Sequence, residues 1–173
     1  MHTKKMMYQN PGLFKALMEK ITATVVEYLS AQIKAGAQAV QLFDSWAGIL
    51  APYDYENSIF PHVKAAIKAL KKFDVPVIYF VNDCAGLLKI VKKCGADVIG
   101  IDWQTSLAEA RKLIPEGIGL QGNLAPTLMV EATPEVVAQE TRAVLEAMRG
   151  RAGHIFNLGH GLTPGAKLEN IAA

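Results

Sequence analysis

Five short apolar runs recur along this chain, "AVQLFDSW", "VPVIYFVND", "ADVIGIDW", "GIGLQGNLAP" and "GHIFNLGHG", and stretches with helical periodicity separate them. The runs are rich in Val, Ile, Leu and Phe with little polar alternation, as in strands buried on both faces. Asn10-Pro11 marks a helix start, with a capping side chain and a proline in the first turn. Phe14, Leu17, Ile21, Val25, Tyr28 and Leu29 then carry that helix to Gly36. Further helices are expected over 58–72, 85–94, 106–113 and 133–149. "GAQAVQLFDSW" and "GADVIGIDW" read as two versions of one helix-stop, strand, acidic-loop unit. Strands alternating with helices in this way predict an α/β fold, a parallel sheet with helices outside. No linker divides the chain, so residues 1–173 are expected to form one domain.

Parallel α/β proteins bind ligands at the carboxyl ends of their strands. The residues expected there are Asp44 and Ser45; Asn82, Asp83 and Cys84; Asp102 and Trp103; Gln121 and Asn123; and His160. Polar groups from five strands on one rim favour a (β/α) barrel over an open sheet. An eight-unit barrel typically needs ~250 residues, and only five strands are visible, so the residues leave open a five-stranded sheet or part of a barrel. His160 stands between two glycines that free the backbone and is the foremost functional candidate. Ser45 is either a ligand contact or a cap of the following turn. Asn123 divides between loop support and ligand contact. Asp44 and Asp102 are expected to organise loops through backbone hydrogen bonds. Trp46 and Trp103 are expected to pack in the core or at the barrel mouth, and His154, at the far end of its strand, to be structural.

Composition removes several classes. Half the residues are apolar (51%) and a fifth are charged (20%), which fits neither a disordered chain nor a membrane protein. The run Val75 to Val81 is far too short to span a bilayer and contains Pro76. No apolar segment follows the basic residues near the start, so no secretory signal is expected. Two cysteines make no disulfide framework and suggest a reducing, cytoplasmic setting. A net charge of +2, without a basic block interleaved with aromatics, gives no footprint for nucleic acid.

Taken in order, "GAQAVQLFDSWAG", "VIGIDW", "LQGNLAP" and "GHIFNLGHG" resemble uroporphyrinogen decarboxylase, and the similarity runs from "TKKMMY" to "ENI". The resemblance implies a (β/α)8 barrel, usually a homodimer, with a deep cleft at the strand carboxyl ends. It implies a cofactor-free enzyme of haem and chlorophyll synthesis that converts uroporphyrinogen to coproporphyrinogen by removing a carboxyl from each of four acetate arms. This chain then corresponds to the last five βα units of the eight, without most of the final helix. By the same resemblance, Ser45 and His160 contact substrate carboxylates or lie beside them, and Phe43 lines the cleft. The candidate set is therefore His160 as the catalytic group, with Phe43, Ser45, Asn123 and His160 binding substrate. The family's principal aspartate, its carboxylate-binding arginines and a tyrosine lie upstream of Met1, and Ala125 stands where the family usually has aspartate.

Charge points the same way independently. The substrate carries eight carboxylates and needs an electropositive cleft, yet the five strand ends offer no Lys or Arg. A positive portion is therefore expected to be absent from this chain, which is expected to be inactive alone, and because an opened barrel exposes edge strands and apolar interior, self-association or an amino-terminal partner chain is expected. No metal and no cofactor are expected. The runner-up is a zinc- and corrinoid-linked methyltransferase of the same superfamily, whose His-x-Cys triplet corresponds here to Asn82-Asp83-Cys84; asparagine is a poor zinc ligand. A non-catalytic binding module is the third reading.

Overall fold

Each of the five apolar runs forms a strand in the computed structural model, which describes residues 2–173. The strands are β1 (Val40–Asp44), β2 (Val77–Val81), β3 (Val98–Ile101), β4 (Gly119–Gln121) and β5 (His154–Ile155). All neighbours are parallel, and the spatial order is the chain order, β1-β2-β3-β4-β5. The helices are α1 (His2–Gln9), α2 (Pro11–Lys34), α3 (Pro52–Ser58), α4 (Phe60–Leu70), α5 (Leu88–Val91), α6 (Leu107–Leu113), α7 (Leu128–Glu131), α8 (Pro134–Ala147) and α9 (Leu168–Ala172). A doubly wound sheet reverses its strand order at a switch point; this one never does. The fold is α/β, five consecutive units wound as in a (β/α) barrel.

The register sorts the strand residues into two faces. Val77, Tyr79, Val81, Ile99, Ile101 and Leu120 point to the helices and are fully buried, packed with Leu29 of α2, Ile67 and Leu70 of α4, Leu88 of α5 and Leu107 of α6. The opposite face carries the rows Gln41, Ile78, Val98, Gly119 and Phe43, Phe80, Gly100, Gln121, Ile155. This face is concave. Gln121 Nε2 on β4 donates to Gln41 Oε1 on β1 at 3.2 Å, although three strand spacings in a flat sheet would separate those strands by ~14 Å. β1 and β5 are the edges. Beside β1 lies a cavity of about 480 Å³, lined by Ile21 and Val25 of α2, Leu42 and Val63 among others.

Several expected elements differ in detail. Asn10 makes no side-chain cap; a further helix, α1, precedes it, and the Asn10 N–H donates to the Met6 carbonyl. The helix expected over 58–72 is α4, and α3 stands before it as a separate helix. Pro61 lacks an N–H and belongs in a first turn, so the chain breaks at Ile59 and starts again. Of 85–94 only Leu88–Val91 is α-helical, because a tight turn closed by Leu87 N–H on the Cys84 carbonyl takes the first residues. β5 has two residues, with one further bridge between Leu124 and Leu158. Among the described residues, no helix is long and apolar enough to cross a membrane.

Candidate functional site

The loops at the strand carboxyl ends are tied together by one buried carboxylate. Asp102, fully buried at the end of β3, accepts the Cys84 N–H on Oδ2 at 2.6 Å and the Gln104 N–H on Oδ1 at 2.8 Å. The Thr105 hydroxyl lies 3.4 Å from both oxygens. Asn123 then donates Nδ2 to the Asp102 carbonyl at 2.7 Å and to the Thr105 carbonyl, joining the loop after β4. Asp102 is thus the loop organiser that its position predicts. Asn123, buried at the Gly122-Asn123 cis peptide, turns its amide donors onto two loop carbonyls.

The loop after β5 closes on this assembly through Gly159. A Cβ there would stand 2.2 Å from the Trp103 nitrogen, so only glycine permits the approach. The Gly159 N–H donates to the Leu124 carbonyl at 2.8 Å. His160 follows at once, exposed, with its ring centre 5.9 Å from Trp103 at 88° and 6.2 Å from Phe80 at 71°. These are edge-on geometries that aromatic rings favour. Phe80 in turn meets Phe43 at 5.9 Å.

Phe43 and Gln41 share one face of β1 because strand side chains alternate, and Ser45 follows in the turn after the strand. With Phe80, Asn157 and His160 they line a cleft of about 450 Å³ on the concave side. The structure therefore brings Phe43, Ser45 and His160 together and leaves Asn123 beneath the rim. None of the residues lining this cleft is a lysine or arginine, and its one ionisable side chain is His160. A second hollow of about 350 Å³, bounded by Trp103, Thr127 and Glu131, lies on the other side of His160. Gln41, Phe80 and Asn157 are cleft residues that the sequence reading passed over. Alternation along β1 already pointed to Gln41; Phe80 and Asn157 needed the register and the path of the last loop.

Asp44 faces the helices instead. Tyr79 donates to its Oδ2 at 2.9 Å, and the Tyr79 and Tyr55 hydroxyls are 2.6 Å apart. Burial raises the Asp44 carboxyl above its ordinary range, and the Tyr79 hydroxyl and Ala47 N–H offset only part of this. Burial likewise pushes both phenols up. His154 Nε2 sits 2.9 Å from the Gly122 carbonyl, a structural bond. Trp103 packs at the mouth as expected, but Trp46 does not pack: it is 76% exposed.

Cys84, the candidate zinc thiol of the runner-up reading, is fully buried, with Sγ 3.5 Å from Thr105 Oγ1. Burial and the Asp102 carboxylate push the thiol up to about 12, whereas zinc takes a thiolate. Among the described residues, no three His, Cys, Asp or Glu side chains cluster at metal-binding spacing.

A concave parallel sheet whose loops meet around an imidazole at the strand carboxyl ends defines an α/β protein of the (β/α)-barrel type. The family model for uroporphyrinogen decarboxylase (URO-D) matches residues 1–173, and the chain belongs to that family. It is 47% identical over 167 residues to the uroporphyrinogen decarboxylase of Geobacter sulfurreducens, covering 96% of this chain and 49% of the relative. The uroporphyrinogen decarboxylase of Geotalea daltonii is 48% identical over the same shares. The chain spans about half the length of the curated relatives it matches. A solved methyltransferase from Methanosarcina mazei superimposes with a TM-score of 0.87 over 98% of this chain and 50% of its own, at 17% identity, a likeness of fold alone.

Proposed function

We propose that this chain supplies the carboxyl-terminal five βα units of a uroporphyrinogen decarboxylase and binds the porphyrinogen on its concave face. Phe43 gives an apolar wall to the cleft. Ser45 and His160 meet carboxylate arms, His160 also carrying protons, and Asn123 holds the loop beside them. The observation that carries this reading is the convergence of Phe43, Ser45 and His160 on one cleft in a member of this family.

Decarboxylation of an acetate arm needs the adjacent pyrrole to take up a proton and act as an electron sink. The C–COO⁻ electron pair then moves into the ring as carbon dioxide leaves. A second proton turns the remaining methylene into a methyl group, and the ring returns its own. A fixed carboxylate stabilises the cationic ring, and a positioned acid delivers the protons. The cleft holds one imidazole and no guanidinium or ammonium, so the remaining acid and the positive charge come from outside these residues, from the amino-terminal half of the barrel or a second copy. The free edges of β1 and β5 and the cavity beside β1 support such a partner. With both cysteines buried and unpaired, the reading includes a reducing cytoplasmic setting and a reaction without cofactor.

The test is anaerobic incubation with uroporphyrinogen, using the chain alone and the chain co-expressed with the amino-terminal half of the Geobacter sulfurreducens relative. Coproporphyrinogen is expected only from the pair, with His160→Ala lowering its rate by about 100-fold or more. No product from a pair that forms a stable complex would overturn the reading.

A further inference from the structure

We infer that Gln41, held in place by Gln121 across the concave face, is a further substrate-contacting residue that presents its carboxamide N–H donors to a carboxylate arm. The inference rests on the reading of the cleft as a porphyrinogen site and adds to it a residue and a bonding chemistry. Gln41 stands two residues below Phe43 on one face of β1, four before Ser45 in the turn after it, and lines the same cleft as His160. Its neighbours in the row across the sheet are Ile78, Val98 and Gly119, none of which offers a side-chain hydrogen bond.

A carboxamide has two donor hydrogens and an acceptor oxygen. Gln121, almost fully buried, donates Nε2 to Gln41 Oε1. That bond occupies the oxygen of Gln41 and orients the group, leaving Nε2 facing the cleft with no protein acceptor among the described residues. Two glutamines on an otherwise apolar strand face are unfavourable unless their remaining groups are satisfied. Gln41 is half-buried at the wall of the open cleft, so solvent serves its free donors until a group entering the cleft takes its place. The other polar groups there are the Ser45 hydroxyl, the Asn157 amide, whose Oδ1 is taken by the Leu158 N–H, and His160. Donors without a guanidinium or ammonium are a set that accepts a carboxylate at short range, while the long-range attraction for a polyanion is supplied from elsewhere. Gln121 acts through Gln41 and is a positioning residue.

The test titrates the complex of this chain with the amino-terminal half of the Geobacter sulfurreducens relative anaerobically with uroporphyrinogen and follows tryptophan emission, since Trp103 borders His160. Gln41→Glu keeps the shape and the oxygen that Gln121 needs but opposes one carboxylate with another. Gln41→Leu removes the donors without adding charge. Binding weaker by about 10-fold or more is expected in Gln41→Glu, widening as salt is lowered, with a loss of several-fold in Gln41→Leu. Circular dichroism checks that each variant is folded, and if Gln41→Glu is not, Gln41→Leu decides. Native affinity in a folded Gln41→Leu chain overturns the inference and leaves the cleft reading standing. No binding by a stable complex that contains the native chain overturns the cleft reading, and the inference falls with it.

Discussion

The two faces of the sheet are built from the same strands and have opposite completeness. Toward the helices, six strand residues are fully buried and each meets a helix that this chain itself supplies. Toward the concave side, Phe43 is 66% exposed and Ile155 42% exposed, and the cleft stands open. The core is therefore closed within five units while the site is not. A βα unit brings its own outer cover in the helix that follows the strand, whereas an inner face is covered only by strands on the far side of a barrel. Stability is divisible among units in a way that the site is not.

The sharpest way to break this comparison is in the outer layer. Ile99→Ala is expected to cost ~2–5 kcal/mol, the range for emptying a buried aliphatic site, read by urea unfolding. Gly159→Ala comes next. Its new Cβ has to push the Trp103 backbone away, an overpacking worth ~1–3 kcal/mol, and the accompanying change in tryptophan emission would report that Trp103 and His160 have parted. Emission and stability identical to native would show that the close approach is not what seats His160.

Asp44 sharpens the contrast through pH. Its carboxyl is raised in the folded chain, so the native state holds the proton more tightly than the unfolded one. Stability contributed by this group rises as pH falls from neutral through the raised value, and its ionised form is a cost above it. Asp44→Asn is therefore expected to be more stable than the native chain at neutral pH, the advantage shrinking as the pH is lowered. An advantage that grows on acidification would reverse the assignment. The smallest effect belongs to the concave side: Phe43→Ala should change unfolding stability by less than ~0.5–1 kcal/mol, and a loss as large as that of Ile99→Ala would mean the inner face carries core energy after all.

The fold was legible where periodicity was strong. All five strands lie inside the apolar runs, and α2, α6 and α8 match their expected spans closely. What the pattern hid is local. Pro61 divides α3 from α4, and α3, PYDYENS, is too short and polar to show a helical apolar stripe. The turn at Gly86 shortens α5 because loop geometry overrides helical spacing. Phe43, Ser45 and His160, which the family resemblance picks out, line one cleft in the structure. The Asp102 arrangement was only half visible: an aspartate at a strand end suggests loop bonding, but that its partners are Cys84, Gln104 and Thr105 depends on the three-dimensional path of two loops. Trp46 was read by its size, and size alone does not say which way a loop residue turns.

The strand order has a consequence for how such a chain comes together. Since β1 pairs only with β2, β2 with β3, and so on to β5, each loop closed during folding is one βα unit long. Closure entropy rises slowly with loop length, and pairings between sequence neighbours form early. Assembly can proceed by accretion, each unit docking on the last, much as in repeat proteins. In that light β1 and β5 are growth fronts. A unit joined at either one extends an existing template without rearranging the pairs already made, so a break in the polypeptide between units need not disturb the register on either side.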